Sequence, residues 1–347
     1  MTSRKILMAM SGGVDSSVAA YILLRDGCEV LGATMCMHER YTKSAVPEAQ
    51  AVCRQLNIEH VVVDITDEFE RLVVRPFLAD YLTGRTPNPC IRCNKLFKFG
   101  RLLEVAREHG CDAVATGHYA RLVETDNRWR LLRGTDRRKE QSYFLFLLAQ
   151  EQMNRVLFPL GDMTKDRVRA VAAERQLVVA QRPESQEICF VPGDDLPRFF
   201  AAETDAQPRP GEIVDESGRV LGRHRGIHHY TVGQRRGMGV AAAEPLYVLA
   251  IDAATDRLIV GPKGSLARIA GRVGELHWCA GRAPAESPLK THVQIRYRHN
   301  GVEADIHVSG DRAELYFHEP VYGWTPGQAA VFYRDDEVIG GGWIEND

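Results

Sequence analysis

The chain has 347 residues, of which 44% are hydrophobic and 26% charged, with eight cysteines and a formal net charge of −2. That composition excludes a disordered, collagenous or coiled-coil chain, and at about 150 residues per domain the length suggests two or three domains. No apolar run approaches the roughly 20 residues of a membrane span, and the five-residue apolar stretch near the N-terminus is too short for a signal peptide. The chain therefore reads as cytoplasmic, where cysteines point to metal or catalytic use rather than to a disulfide framework.

Ile6 to Met10 is a short apolar run suited to a buried parallel strand. Ser11-Gly12-Gly13 follows, and then a helical pattern from Asp15 to Asp26, with Val18 and Ile22, and Ala19 and Leu23, at i, i+4 and Gly27 as the stop. Val30 to Met37 predicts a second strand, Pro47 to Leu56 a helix, and Val61 to Ile65 a third strand. Asp67 to Leu82 carries Phe69, Leu72, Val73 and Phe77 at helical spacing, interrupted by Pro76. Thr83 to Arg92 reads as a loop from its glycine and proline content. Asn94 then reads as the cap of a helix whose stripe is Leu96, Phe99, Leu103 and Ala106, ending near Gly110. Ala113 to Thr116 is a further strand. This alternation predicts an α/β fold built on an open parallel sheet.

After about residue 205 the character changes, and Gln207-Pro208-Arg209-Pro210-Gly211 looks like a boundary. Short strands follow at Glu212 to Val214, Tyr247 to Ile251 and Leu258 to Val260. The β alternation continues through His292 to Tyr297 and Ala329 to Tyr333. Two small β-rich domains are expected, the last a β-barrel, with the chain divided at 1–205, 206–272 and 273–347.

The strongest short signal is Ser11-Gly12-Gly13-Val14-Asp15-Ser16-Ser17, between the first strand and the first helix. Two glycines let the backbone approach phosphate oxygens, and the helix N-terminus presents free N–H groups with partial positive charge. Ser11, Ser16 and Ser17 can add hydroxyl donors, and Asp15 is a candidate oxygen ligand for Mg²⁺. No Gly-Lys-Ser/Thr follows, so this is not a Walker loop; from spacing alone, a plain glycine turn capping a helix would look the same.

The second signal is Thr86-Pro87-Asn88-Pro89-Cys90-Ile91-Arg92-Cys93-Asn94-Lys95. A C-x2-C pair can chelate a metal or cluster, or exchange electrons. Arg92, Lys95 and the helix expected at Asn94 should lower the Cys93 thiol pKa. Cys189, in Glu184-Ser185-Gln186-Glu187-Ile188-Cys189-Phe190-Val191-Pro192, would alone read as a buried core cysteine, as do Cys28, Cys36, Cys53, Cys111 and Cys279. Arg128, Arg130, Arg133, Arg137, Arg138 and Lys139 crowd one segment. Arg223, Arg225, Arg235 and Arg236 crowd another, with His224, His228, His229 and Tyr230 interleaved. Either stretch alone reads first as a solvated charged face; basic residues also neutralise phosphates and aromatics stack on unpaired bases, so patches on two domains at once favour a long RNA ligand. The cancelling acids, such as Asp335-Asp336-Glu337, are expected elsewhere.

The loop Ser11 to Ser17 resembles the PP-loop of the N-type ATP pyrophosphatases, which cleave ATP between the α and β phosphates, adenylate a substrate oxygen and release pyrophosphate. Three more segments extend the likeness: Ala115-Thr116-Gly117-His118-Tyr119-Ala120-Arg121, Lys139-Glu140-Gln141-Ser142-Tyr143-Phe144-Leu145 and Ser185-Gln186-Glu187-Ile188-Cys189-Phe190. With the Pro-Asn-Pro-Cys-Ile-Arg-Cys-Asn run they make nearly the whole chain similar to the tRNA 2-thiouridylase family of these enzymes.

The resemblance implies ATP-dependent 2-thiolation of wobble uridine 34 in tRNA. AMP is first placed on the C2 oxygen, and sulfur then replaces it. ATP contacts are implied at Ala9, Met10, Ser11, Gly12, Gly13, Val14, Asp15, Ser16, Met35 and Gly117, with Mg²⁺. Contacts to the anticodon region of tRNA are implied at Asn88, Pro89, Cys90, His118, Lys139, Glu140, Gln141, Arg296, Tyr297 and Gln328.

Cys93 is implied as the nucleophile and Cys189 as the carrier of a persulfide, supplied by a sulfur donor such as a cysteine desulfurase or a sulfur-relay protein. In that relay Cys93 attacks the persulfide and closes a disulfide that a reductant must reopen. Many members have aspartate where this chain has Cys90. The extra thiol lets Cys90, Cys93 and Cys189 hold a [4Fe–4S] cluster with an iron free for sulfide, or a zinc ion, or leaves Cys90 a bystander. Two rivals stand beside this reading. One is a PP-loop ligase or amidase on a small molecule, against which the β domains and the cysteine set count. The other is a non-catalytic tRNA-binding sulfur carrier, against which the intact loop counts.

Overall fold

The structure, a computed structural model, describes residues 3–38, 45–183, 188–191, 193, 195–204 and 209–346. Glu184, Ser185, Gln186, Glu187 and Pro192 of the Cys189 motif, and Gln207 and Pro208 of the expected boundary, lie outside them.

The N-terminal part is a parallel sheet. Its first elements are β1 (Lys5–Ala9), α1 (Val14–Arg25), β2 (Glu29–Cys36), α2 (Ala45–Leu56) and β3 (Glu59–Asp64). Ile6, Leu7 and Met8 are fully buried, because helices cover both faces of the sheet. Next come α3 (Thr66–Phe69) and α4 (Arg75–Leu82), joined by π-helical turns over Glu70–Val74. Pro76 therefore does not break the helix. It falls in the first turn of α4, where its missing N–H leaves no bond unmade.

The segment 83–92 is not all loop. Helix α5 (Pro89–Cys93) starts inside it, continues through π turns over Asn94–Arg101 and ends as α6 (Leu102–Glu108). The cap is Asn88, whose Oδ1 accepts the Cys90 N–H at 3.2 Å, and Pro89 fills the first helical position with its φ already set. Asn94, expected as the cap, lies inside the helix and donates its amide to the Phe144 carbonyl at 3.1 Å.

β4 (Ala113–Ala115) returns to the sheet, and β5 (Ala120–Thr125) and β6 (Arg128–Arg133) form a hairpin. α7 (Gln150–Met153), β7 (Val156–Leu157), α8 (Lys165–Glu174) and α9 (Leu196–Glu203) complete this part. The sheet order is β3-β2-β1-β4-β7, parallel throughout.

A four-stranded sheet follows, of β8 (Gly211–Asp215), β9 (Val220–His224), β10 (Tyr247–Asp252) and β11 (Arg257–Gly261), in the order β10-β11-β8-β9. Ile213, Val248, Leu258 and Val260 fill its core. The last strands are β12 (Ala267–Trp278), β13 (Leu289–Gln294), β14 (Val302–Ser309), β15 (Arg312–Tyr322), β16 (Ala329–Arg334) and β17 (Glu337–Ile344). Pairing of β12 with β17 closes these six into a barrel, as the alternating pattern predicted. β12 itself runs across residue 272.

The β5–β6 hairpin does not join the parallel sheet. β6 pairs with β17, so the N-terminal part lends two strands to the barrel's sheet. This corrects the reading of the first basic segment. The turn 335–337 lies against the hairpin, where Glu337 pairs with Arg128 and, at 3.4 Å, with Arg130. Asp336 pairs with Arg121 at 3.3 Å and with Arg137 at 2.5 Å. Arg133 pairs with Glu140 at 3.1 Å, and Arg138 with Asp136 at 3.5 Å and Asp166 at 3.3 Å. The acids expected elsewhere are these arginines' own partners. In the second segment the four arginines are exposed, but His224, His228 and Tyr230 are buried and pack inward, out of reach of a base.

All eight cysteines are free; Cys53, Cys111 and Cys279 are buried as expected, Cys28 and Cys36 half-buried, and Cys189 exposed. Among the described residues, no helix is long and apolar enough to cross a membrane.

Candidate active site

In the sheet, β2 and β4 flank β1 on opposite sides, so the strand order reverses there and a crevice opens beyond the carboxyl ends of β1 and β4. The Ser11–Ser17 loop fills its floor. Gly12 adopts φ +70°, a conformation that favours glycine, and Gly13 is the N-cap of α1 with no side-chain cap, which leaves first-turn N–H groups for an anion. The hydroxyls brace the loop. Ser16 and Ser17 donate to the Gly13 carbonyl at 3.1 and 2.8 Å, and Ser16 Oγ accepts the Ser11 N–H at 3.3 Å.

Gly117, just past β4, makes the close approach that shapes the crevice. A Cβ there would lie 3.0 Å from the Ser16 nitrogen and 3.1 Å from the Asp15 carbonyl carbon. Gly117→Ala should therefore displace the loop and weaken ATP binding about tenfold or more, a cost of roughly 1–3 kcal/mol typical of overpacking. Calorimetric titration with ATP checks it, and an unchanged affinity contradicts the close-approach role.

Asp15 does not stand free for Mg²⁺. Lys165 Nζ lies 2.7 Å from both of its carboxylate oxygens, and the Tyr119 hydroxyl donates to Oδ1 at 2.7 Å. Lys165 is buried at the first position of α8, after the cap Thr164. A magnesium ion at Asp15 would have to share or displace this ammonium.

The thiols lie on the next helix. Cys90 and Cys93, three residues apart on α5, share a face, and Cys189 is within electrostatic reach of both. Lys98 belongs to the same cluster. In π turns, with i→i+5 bonding, a residue five further on returns to the same side of the helix. The expectation of a lowered Cys93 pKa is overturned. Cys93 is buried, and desolvation pushes its thiol up to about 11, with Lys98 acting the other way. Arg92 and Lys95, its sequence neighbours, are not what the sulfur feels. Burial also raises Cys90. Cys189 is exposed, which makes it the sulfur that water and partners reach first. Alkylation of Cys93 by iodoacetamide, followed by peptide mass spectrometry, should therefore climb through about pH 11, and Lys98→Gln should move that midpoint higher. A midpoint near neutrality contradicts it.

Among the described residues the three sulfurs do not all converge within 4.8 Å, so they are not gathered round one ion such as zinc. A multi-iron cluster spans more than one ion and is not held to that limit, and three soft donors on two segments suit it.

The remaining predicted residues divide. Ala9 ends β1 and Met10 follows it, with the Met10 N–H donating to the Ala33 carbonyl at 2.7 Å, and Met35 is half-buried near the carboxyl end of β2. His118 is buried between the rings of Phe99 and Phe158, each 5.9 Å away, with Nδ1 2.8 Å from Thr116 Oγ1 and Nε2 3.5 Å from Lys98. Burial, then Lys98, holds its pKa well below 6.5, so it is neutral at pH 7 and brings no charge to a phosphate. Glu140 is buried on Arg133, and Gln141 Oε1 accepts the Tyr119 N–H at 3.1 Å. Arg296 is exposed, Lys139 is half-buried, and Tyr297 packs on Phe144 at 4.4 Å. Gln328 donates to the Thr86 carbonyl at 2.8 Å, clasping the barrel to the segment before α5. Asn88 spends its Oδ1 on the α5 cap, next to Pro89.

Three residues of this site escaped sequence reasoning as working groups: Lys98, Tyr119 and Lys165. Tyr119 lies inside a quoted motif. The cue to Lys165 is weak: a lysine in the first turn of a helix opposes the dipole unless an acid faces it.

A parallel nucleotide-binding sheet with a glycine loop, a thiol helix beside it, and two β domains define a PP-loop type enzyme with a thiol site. Residues 4–193 match the tRNA methyl transferase HUP domain family, 200–262 the tRNA methyl transferase PRC-barrel domain and 270–344 the aminomethyltransferase beta-barrel domain. The chain is 48% identical over 359 residues to the tRNA-specific 2-thiouridylase MnmA of Geobacter metallireducens, covering 99% of this chain and 97% of that one. It is 48% identical over 349 residues to the same enzyme of Syntrophotalea carbinolica and 46% over 352 residues to that of Acidithiobacillus ferrooxidans, each covering 99% of both chains. The chain belongs to the tRNA-specific 2-thiouridylase family.

Proposed function

We propose that this chain catalyses the ATP-dependent 2-thiolation of wobble uridine 34 in tRNA. The observation that carries the reading is that residues 116–119 touch both halves of the chemistry. Gly117 and Tyr119 meet Ser16 and Asp15 of the loop, while His118 meets Lys98 and Phe99 beside the thiols. ATP activation and sulfur delivery thus share one short frame.

The C2 oxygen of uracil is a poor leaving group, so it must be activated first. The N–H groups of α1 and the loop hold the ATP phosphates, Lys165 offsets their charge, as Mg²⁺ would when bound, and the base is held in line by the segment 88–93. The oxygen takes AMP and pyrophosphate leaves. Cys189, exposed, accepts sulfur from a donor such as a cysteine desulfurase or a sulfur-relay protein, becoming Cys189–S–SH. Cys93 thiolate attacks the Cys189 sulfur, which forms the Cys93–Cys189 disulfide and releases HS⁻. That HS⁻ attacks C2, AMP leaves, C2=S forms with loss of a proton, and an external reductant reopens the disulfide. A second reading is favoured by the third thiol, Cys90. Cys90, Cys93 and Cys189 would hold an iron–sulfur cluster, which when bound would supply an iron free for sulfide and keep its three ligands as thiolates.

Residues 1–205 carry the catalysis, and 206–272 with 273–347 extend the RNA surface that begins on them. Lys139, Arg296 and the exposed Arg223, Arg225, Arg235 and Arg236 supply its phosphate contacts in the cytoplasm. Pyrophosphate release from ATP, measured with and without unmodified tRNA, tests the reading. Release that requires tRNA supports it. Release indifferent to tRNA supports a small-molecule ligase instead, and none in either arm supports a sulfur carrier.

A further inference from the structure

Away from the crevice and the thiols, the described residues bring together three metal-ligating side chains. One donor atom each of His38, Glu70 and Glu203 lies within 4.8 Å of the other two. They come from three separate elements. His38 follows β2, Glu70 opens the π turns after α3, and Glu203 closes α9. His38 is buried, and the Glu203 side chain is only 14% exposed, with Oε2 3.7 Å from His38 Nε2. Glu70 is partly covered and has Arg75 Nε at 3.4 Å from Oε1, but Arg75 is mostly in solvent and screens weakly.

The convergence is of donor atoms from three chain segments on one point, which is the geometry a single ion requires. One imidazole nitrogen and two carboxylate oxygens are the donor set of a borderline divalent ion, whose double charge matches the two acids. The π turns point the same way, since such turns recur at functional sites.

We propose that His38, Glu70 and Glu203 bind one divalent cation of the zinc class, which fastens α9 to the end of β2 and to the π turns. The consequence reaches the thiols. Phe199 of α9 packs on Phe190 at 5.5 Å, and Phe190 directly follows Cys189. The ion is thus a strut for the segment that carries the exposed cysteine. The site does not depend on the thiolation reading, and its test reads no activity.

The test is titration of the chelator-stripped full chain with Co²⁺ alone, followed by absorption. Cobalt on nitrogen and oxygen gives weak visible bands, whereas cobalt on thiolate adds a strong sulfur-to-metal band in the near ultraviolet, so binding at Cys90, Cys93 and Cys189 is told apart. Wild type should take up one equivalent with the nitrogen–oxygen spectrum. His38→Gln, Glu70→Gln and Glu203→Gln, each checked for native circular dichroism, should lose it and keep any thiolate band. Wild type showing only the thiolate spectrum, or no uptake, overturns the proposal without needing any variant. A nitrogen–oxygen component that survives in all three variants overturns it too.

Discussion

Cys93→Ser should lower sulfur transfer to tRNA about 10³-fold or more, the scale seen when a nucleophile is removed, while tRNA-dependent pyrophosphate release persists. The physical ground is position. Cys93 is buried at the end of α5, beside Cys90, Lys98 and the exposed Cys189. Serine keeps the volume and the helix but supplies neither a sulfur to attack a persulfide nor a soft ligand for iron. In the proposed mechanism activation of C2 uses the loop and Lys165, so the two half-reactions should separate. Single-turnover transfer with pre-formed adenylate, followed beside pyrophosphate release, makes the measurement. Transfer within about tenfold of wild type would remove Cys93 from the chemistry in both the relay and the cluster reading.

Lys165→Met should lower ATP turnover by about 10² to 10³, the usual scale for deleting one charge aimed at a reacting phosphate. It leaves Asp15 with the Tyr119 hydroxyl as its remaining partner among the bonds described above. Breaking a fully buried ion pair costs about 3–5 kcal/mol, but Asp15 keeps 34% of its side chain exposed, so a stability loss nearer 1–2 kcal/mol is expected. Asp15→Asn in the same background should add little, because both changes empty one contact. Thermal melts and ATP–pyrophosphate exchange across wild type, both single variants and the double give the coupling. Fully additive losses would mean that Lys165 and Asp15 do not work as a pair.

Much of this architecture was legible in the chain. The apolar run Ile6 to Met10 suits the buried strand it forms, Gly12-Gly13 sits at the strand–helix junction as its spacing suggests, and the alternation expected after residue 272 closes into a barrel. What stayed hidden is non-local or depends on register. Pro87-Asn88-Pro89 reads as a loop until Asn88 is seen capping a helix that begins at Pro89. Lys98 reaches the thiols through π turns, which leave no periodic signature, while Arg92 and Lys95 only looked like its substitutes. Sequence proximity predicted a low thiol pKa, whereas desolvation, which depends on what packs around Cys93, decides it. The Arg128–Arg138 segment read as a solvated or RNA-facing charged stretch because nothing local shows that β6 would pair with β17 and bring Asp336 and Glu337 against it. Lys165 and Asp15 are 150 positions apart.

Nucleoside analysis of unmodified tRNA, after incubation with the reconstituted protein, ATP, sulfide and a reductant, tests the central claim most directly. The account predicts 2-thiouridine at position 34 only when ATP is present, and none from a tRNA carrying cytidine there. Absence of 2-thiouridine from protein that binds ATP and tRNA, or its appearance without ATP, would contradict it.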